Sequence, residues 1–187
     1  MALSKDKLTG LQINIPIWID LFQKLGVDNS RIPFLLSQLV FETGYFTADP
    51  YKLDNNPAGI TWNNNYLKRP GASLGRKRKA VEGGNYVHFD TLENAALDYL
   101  RILNRKPGQP ITAISIDDFA NRLAQNGYYD QRHTSVAQYT TGLKSIYSNI
   151  DKTVDVAALL KKKSNVITAS AGSIMALLFL GWLYFKK

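Results

Sequence analysis

The chain has 187 residues, 45% hydrophobic and 20% charged, a composition typical of a globular domain with a real core. It has no cysteine and only two histidines, so we expect no disulfide, no thiolate nucleophile, no metal site and no cofactor, and a Ser-His-Asp triad has few places to sit. The net charge of +8 and pI near 9.6 indicate an anionic partner such as nucleic acid, acidic lipid or bacterial cell wall.

Helical signals dominate residues 15–150, and the first two helices lie near the start of the chain. The segment "PIWIDLFQKLG" is predicted to begin at Pro16 and end at Gly26, because proline favours the first helical position and glycine the position after the end. The segment "NSRIPFLLSQLVFETG" is predicted to begin at a cap on Asn29 or Ser30 and to stop at Gly44.

Glu42 stands at the end of this second apolar run, where a carboxylate is unfavourable because the last helical carbonyls already carry partial negative charge. Helical spacing puts it beside Leu35 and Leu39, at the border of the apolar stripe. Burial and the helix end both raise the pKa of a carboxyl, and a protonated carboxylic acid is what a general acid needs. The alternative is a glutamate at the helix edge that points to water.

The middle of the chain, about residues 48–89, is predicted to be non-helical. It contains "DNNPAGI", the basic run "KRPGASLGRKRK" at residues 68–79, and "EGGNYVHFD". Val87 and Phe89 alternate with polar neighbours, which indicates a strand. We therefore expect a mainly α, α+β domain in which a small β-hairpin is inserted among helices.

Three further helices are predicted after this region. The first has Asp90 followed three residues later by Glu93, a pattern that resembles a capping box. The second runs from a cap at Ser115 to Gly127. The third has apolar residues on one face, namely Val136, Tyr139, Leu143, Ile146 and Ile150.

The C-terminal segment "VITASAGSIMALLFLGWLYF", residues 166–185, has no charged residue. Twenty residues of helix span about 30 Å, the thickness of a bilayer core, and Trp182 and Tyr184 suit an interfacial aromatic belt. We predict a single transmembrane anchor there, a globular domain over residues 1–150, and a linker over residues 151–165.

Four segments occur in an order that resembles one enzyme family. They are "FETGYFT", "NNPAGITW", "YVHFDTLENAALDYLRIL", and "LAQNGYYD" followed by "YTTGLKSIY". Over residues 30–150 this set resembles the bacterial β-N-acetylglucosaminidases of the autolysin and flagellar peptidoglycan-hydrolase type (glycoside hydrolase family 73). The resemblance implies a lysozyme-like fold and a glycosidase in which Glu42 is the general acid.

The resemblance also implies a set of substrate-binding residues. Asn55, Asn56 and Gly59 shape the loop beneath the sugar, and Tyr128, with its neighbour Tyr129 as the alternative, lies near the acid. Aromatic side chains offer surfaces on which a sugar stacks, and core packing is an equal alternative for each of them. These candidates are Tyr45, Phe46 and Trp62.

The second carboxylate of the family lies in the hairpin region, and we assign it to Glu82 in "VEGGNY", beside two glycines. Asp54 and Asp90 are the rivals, although Asp90 is better explained as a helix cap. Glu82 is alternatively an ordinary acid that compensates the basic run. The sequence departs from the family at Phe46, where a glycine is common, and at Thr61, where a lysine is common.

These features together predict a membrane-anchored hydrolase that cuts the β-1,4 bonds of peptidoglycan glycan strands. The alternatives are a lytic transglycosylase of the same fold, a non-catalytic wall-binding protein, and a DNA-binding membrane protein that uses residues 68–79, the least favoured of these. The N-terminus lacks the apolar run of a signal peptide. We therefore expect a tail-anchored protein of the bacterial envelope or, preferably, of a bacteriophage virion with an internal membrane, whose anchor helix self-associates through small residues.

Overall fold

The structure is a computed structural model that describes residues 3–80, 82–129, 131–132 and 134–161. The chain divides into two compact units, Met1–Val154 and Asp155–Lys187, and in the second unit residues 156–161 are helical. Within the described ranges, no helix has the length and apolar character needed to cross a membrane. The predicted anchor, residues 166–185, lies outside those ranges.

The first unit is mainly helical and carries a two-stranded antiparallel hairpin, which confirms the predicted fold class of this domain. Its α-helices are α1 (Lys5–Lys24), α2 (Ile32–Glu42), α3 (Asp49–Asp54), α4 (Leu92–Leu103), α5 (Ile116–Asn126) and α6 (Val136–Thr153). The strands are β1 (Ala72–Lys77) and β2 (Asn85–Phe89), and short 3-10 helices occupy Asn64–Tyr66 and Pro110–Thr112.

The predicted start of α1 is wrong, because Pro16 lies inside the helix rather than at its first position. A proline in a helix interior removes a backbone hydrogen bond and costs about 3 kcal/mol. Burial of one large apolar side chain contributes roughly 1.5–3 kcal/mol, so a long apolar stripe offsets that cost. The buried stripe of α1 consists of Leu11, Ile15, Trp18, Ile19 and Phe22.

The predicted cap of α2 is also wrong. Arg31 occupies the N-cap position, and neither Asn29 nor Ser30 caps the helix. The Asp28 carboxylate instead accepts hydrogen bonds from the backbone N–H and the hydroxyl of Ser30, at 2.8 and 2.7 Å. These bonds hold the turn before the helix, and α2 then runs to Glu42 as its last residue.

The start of α4 differs from the prediction by one residue. Thr91 is the N-cap, and its hydroxyl accepts a hydrogen bond from the backbone N–H of Asn94 at 3.1 Å. Asp90 therefore caps nothing, and the expected capping box with Glu93 does not form. Glu93 pairs instead with Lys24 on α1 at 2.8 Å.

The two C-terminal helices of the unit match their predictions. The Ser115 hydroxyl caps α5, and Gly127 ends it in the left-handed conformation at φ 71°. The predicted apolar face of α6 is buried, except for Val136, which is half-buried. Its buried residues are Tyr139, Leu143, Ile146 and Ile150.

The hairpin pairs Ala72 with Phe89 and Leu74 with Val87, and the register shifts between Leu74 and Lys77. The predicted alternation along β2 is confirmed, because Val87 and Phe89 are both buried. They join a small apolar cluster with Ile102 of α4. This contact fixes the hairpin against the helices and so fixes the wall of the groove described below.

The close packing of α2 against α6 positions the end of α2. A Cβ atom on Gly142 of α6 would lie only 2.6 Å from the ring of Phe41, so this helix contact requires glycine. The Phe41 ring in turn meets the edge of the Tyr139 ring, with ring centroids 5.1 Å apart. The approach of the two helices therefore brings the Tyr139 side chain beside the last turn of α2.

Candidate active site

A groove of about 520 Å³ opens at the carboxyl end of α2, a volume in the range of small-molecule sites. It is lined by the end of α2, the start of α3, the loop at residues 56–59 and the turn of the hairpin. Both carboxylates singled out in the sequence, Glu42 and Glu82, line this groove, as do Asn56 and Gly59.

Glu42 is the last residue of α2, and its side chain is half-buried. The last turn of α2 contains no basic residue that pairs with it. Burial raises the pKa of the Glu42 carboxyl above its ordinary value, and a hydrogen bond from the Tyr139 hydroxyl to Oε1, at 2.8 Å, opposes that shift. Glu42 is thus a partly desolvated carboxyl that borders an open groove.

Glu82 lies on the hairpin turn and is exposed. Its carboxylate pairs with Arg78 at 2.8 Å, and the Arg78 guanidinium lies over the Tyr86 ring at 5.4 Å from the ring centre. Lys79 lines the same groove. This carboxylate therefore has a solvated, charge-compensated environment, unlike that of Glu42.

The two rivals for the second carboxylate are not part of the groove lining. Asp54 is 4% exposed and pairs with Arg76 at 2.6 Å and with His88 at 3.4 Å, beside the hairpin. Asp90 is exposed just after β2. A third carboxylate, Asp49 on the first turn of α3, lines the groove. It was not among the residues predicted from the sequence.

The loop beneath the groove is held by Asn56. Its buried side-chain amide donates to the carbonyls of Ile60 and Val87 at 2.8 and 2.9 Å, and its side-chain oxygen accepts from the Ile60 N–H at 2.8 Å. Gly59 has a φ of +59° and is exposed on the groove. Asn55 lies outside the groove lining and ends α3 in the left-handed conformation, with its amide bonded to the Phe89 carbonyl at 2.8 Å.

None of the three aromatic candidates for sugar stacking is part of the groove lining. Tyr45 and Phe46 are only 8% and 3% exposed, and Phe46 packs on Tyr51 with ring centres 5.1 Å apart. Trp62 packs near Tyr66, in the apolar cluster of the hairpin. Burial leaves the rings of Tyr45 and Phe46 little surface for a sugar, so the structure favours the packing interpretation for both.

The two tyrosines after α5 have different surroundings. Burial, and next the negative charge of Glu42, raise the pKa of Tyr128. Its hydroxyl lies 3.5 Å from the Ala58 carbonyl oxygen. Tyr129 stacks on the Tyr139 ring at 4.2 Å, and its buried hydroxyl has no hydrogen-bond partner among the described residues.

The hydrogen bonds that connect Glu42 to the core of the domain were not predicted from the sequence. Tyr139 was assigned to the apolar face of α6, which is correct for its ring but does not reveal its bond to Glu42. Gln38 and Tyr99 extend this contact into the core. A tyrosine in an apolar stripe was the only available signal, because a buried Tyr hydroxyl usually finds a partner.

The fold matches solved structures of cell-wall hydrolases. The peptidoglycan hydrolase from Sphingomonas sp. A1 shares 19% identity, with 78% of this chain and 92% of that chain covered and a TM-score of 0.55. The catalytic domain of the autolysin Auto from Listeria monocytogenes shares 13% identity, with coverages of 82% and 89% and a TM-score of 0.51. The chain has the fold of these peptidoglycan hydrolases.

This match confirms, at the level of the fold, the resemblance expected from the four sequence segments. No protein-family model and no curated protein sequence matches the chain. At such low identity the similarity concerns the arrangement of the backbone. Any proposal about the chemistry of the chain therefore depends on the residues of its groove.

Proposed function

We propose that this protein is a glycoside hydrolase that cuts the β-1,4 bonds between N-acetylglucosamine and N-acetylmuramic acid in peptidoglycan. The observation that carries the proposal is the Glu42 carboxyl, which is half-buried, has a raised pKa and borders an open groove. A carboxylic acid that keeps its proton in such a site is suited to general acid catalysis. The shared fold with peptidoglycan hydrolases supports the choice of substrate.

In this proposal Glu42 gives its proton to the glycosidic oxygen as the bond from that oxygen to C1 breaks, and the electron pair stays on the oxygen. A water molecule then supplies the oxygen that joins C1. Glu82 is the proposed partner, which either takes the proton of that water or attacks C1 itself. Inversion requires carboxyls roughly 6.5–9.5 Å apart and retention about 5 Å, and a third route uses the N-acetyl group of the substrate.

The proposed sugar site lies along the groove. Asn56 and Gly59 form its floor, because Asn56 fixes the loop and Gly59 leaves the backbone open to a ligand. Tyr128, near the acid, is proposed to contact the sugar that loses its bond, with Tyr129 as the adjacent alternative.

The test is digestion of purified sacculi by the full-length chain and by Glu42→Gln. We expect the variant to bind sacculi but to clear them about 10²–10⁴-fold more slowly. Glu93→Gln is the matched control, since it changes a glutamate that lies outside the groove lining. Unchanged clearing by Glu42→Gln contradicts the proposal, and binding without clearing by the unmodified chain indicates a wall-binding protein.

The masses of the products identify the bond that is cut. A new reducing end on N-acetylglucosamine or on N-acetylmuramic acid names the sugar whose C1 was attacked. A product with a 1,6-anhydro ring shows that the muramic 6-hydroxyl, rather than water, attacked C1. That result changes the assignment to a lytic transglycosylase.

We further propose that residues 166–185 anchor the enzyme in a lipid bilayer, either in the bacterial envelope or in the internal membrane of a virion. The support is the uncharged, bilayer-length sequence flanked by lysines. Small residues spaced four apart, such as Ala169 and Ser173, suit pairing of two such helices. An anchored hydrolase of this kind acts on the wall next to its own membrane.

A further inference from the structure

A chain of hydrogen bonds runs from the core of the domain to Glu42. The Tyr99 hydroxyl of α4 lies 2.6 Å from Gln38 Oε1, Gln38 Nε2 lies 3.4 Å from the Tyr139 hydroxyl, and that hydroxyl lies 2.8 Å from Glu42 Oε1. Tyr99, Gln38 and Tyr139 are all buried. The two links among Tyr99, Gln38 and Tyr139 are therefore shielded from bulk water, and the last link, to Glu42, is part-buried.

The distances fix the orientation of the Gln38 amide. Hydrogen bonds between two oxygens are typically 2.5–3.0 Å long, whereas those from nitrogen to oxygen are typically 2.7–3.2 Å. The 2.6 Å contact with Tyr99 thus belongs to the Gln38 oxygen, which leaves the nitrogen for the longer contact with Tyr139, at 3.4 Å. The amide nitrogen then points at the Tyr139 hydroxyl.

This orientation decides where the Tyr139 proton goes. An amide nitrogen only donates, so the Tyr139 oxygen must accept from Gln38. A tyrosine hydroxyl has a single proton, and that proton remains for Glu42 Oε1. Because Oε1 accepts this hydrogen bond, a proton carried by Glu42 sits on Oε2.

We propose that Tyr139 is a positioning residue, which acts with Gln38 and Tyr99 to hold the acid proton of Glu42 on Oε2 and to stabilise the carboxylate that forms when this proton leaves. The inference rests on the proposed role of Glu42 as the general acid. Tyr139 keeps its own proton throughout, and its hydrogen bond strengthens when its acceptor becomes charged.

The ring of Tyr139 is held so that its hydroxyl stays in place. The Tyr129 ring stacks on it at 4.2 Å with an angle of 14°, and the Phe41 ring meets it edge-on at 5.1 Å. The phenol is therefore fixed by packing, independently of its bond to the acid.

Several titratable groups lie near Glu42, and all but the one that a variant replaces must stay constant in a test of pH dependence. Tyr128 follows α5, Tyr99 lies on α4 and Tyr139 on α6. The groups that face the same groove from α3 and the hairpin are Asp49, Tyr51, Arg78, Lys79, Glu82 and Tyr86. Tyr139 alone among these is bonded to Glu42 in the described structure.

The test is Tyr139→Phe in the full-length chain, which keeps the ring and removes the hydroxyl. Loss of the donor disfavours the ionised acid, so the high-pH limb of the activity profile should move to higher pH. We expect kcat on solubilised glycan strands to fall about 10-fold or more with little change in KM. Tyr147→Phe, which removes an exposed tyrosine hydroxyl from the same helix, should change neither quantity.

A carbon NMR titration of glutamate-labelled protein gives a readout independent of turnover. The Glu42 signal is identified by its loss in Glu42→Gln, and its midpoint should rise in Tyr139→Phe but not in Tyr147→Phe. An unchanged or lowered midpoint overturns the inference. A lowered midpoint means that the protonated Glu42 carboxyl donates a hydrogen bond to Tyr139 instead of accepting one from it. Tyr99→Phe, expected to raise the midpoint by less, provides the same test if Tyr139→Phe does not fold.

The two proposals fail in different ways. If Tyr139→Phe raises the Glu42 midpoint but the unmodified chain never cuts peptidoglycan, the proposed function fails and the positioning chain stands. If Glu42→Gln abolishes clearing while Tyr139→Phe leaves both the midpoint and the pH profile unchanged, the proposed function stands and the positioning chain fails.

Discussion

Glu42 and Glu82 line one groove but have opposite environments. Glu42 is half-buried, its pKa is raised by burial, and it is bonded to a neutral phenol. Glu82 is exposed and paired with the guanidinium of Arg78. An acid and a base that share a site need different environments, and the two carboxyls of this groove have them.

The groove contains a second candidate for the partner carboxylate, and a paired substitution distinguishes the two. We expect Glu82→Gln to lower kcat on glycan strands by about 10²-fold or more, and Asp49→Asn to have little effect, because Glu82 is the one that the sequence resemblance assigns. The measurement is the rate of release of reducing ends by each variant. A large loss in Asp49→Asn with normal rates in Glu82→Gln transfers the role to Asp49.

The site was only partly predictable from the sequence, for a physical reason. Glu42 was visible because it breaks a local rule at a helix end, and such conflicts concentrate at functional sites. Asp49 was not visible in the sequence, because it reaches the groove only once α3 has folded. The bond from Tyr139 to Glu42 was not predicted, because a helical stripe places a ring in the core but does not indicate where its hydroxyl points.

At the scale of the elements, Asn56 couples the groove loop to the hairpin. It makes three hydrogen bonds in a buried position, two to Ile60 and one to Val87 of β2. Apolar contacts cannot replace these bonds, because the buried Ile60 N–H would lose its acceptor. The position of Gly59 on the groove, next to Ile60, depends on the same contacts.

We therefore expect Asn56→Ala to lower the free energy of unfolding by about 2–3 kcal/mol. Asn56→Asp keeps the shape but points an acceptor at two carbonyl oxygens, so its loss should be larger. Asn64→Ala, at an exposed position, serves as the control. Urea unfolding followed by circular dichroism measures all three, and a loss in Asn56→Ala no greater than in the control contradicts this account.

The elements were predicted well where their signals are local. The cap of α5 at Ser115 and its stop at Gly127 depend on a few adjacent residues, and both predictions are correct. The start of α1 depends instead on the packing of its buried stripe, which outweighs the proline signal. The short helix α3 was missed because its six residues carry too little periodicity to detect.

At the scale of the whole molecule, two different forces are available to bring the protein to a membrane. The net charge of +8 attracts anionic surfaces, and salt screens that attraction. The uncharged segment at residues 166–185 offers burial of apolar side chains in the bilayer, which salt does not weaken. The response to salt therefore separates the two.

We expect the full-length chain to float with anionic lipid vesicles even in about 1 M salt, where the Debye length is ~3 Å. A chain that ends at Lys161 keeps most of the basic residues but lacks the apolar segment, so it should float only at low salt and not with neutral vesicles. Vesicle flotation followed by immunoblotting measures both chains. Release of the full-length chain by salt alone contradicts the anchor, since burial of twenty uncharged residues in hydrocarbon does not depend on screening.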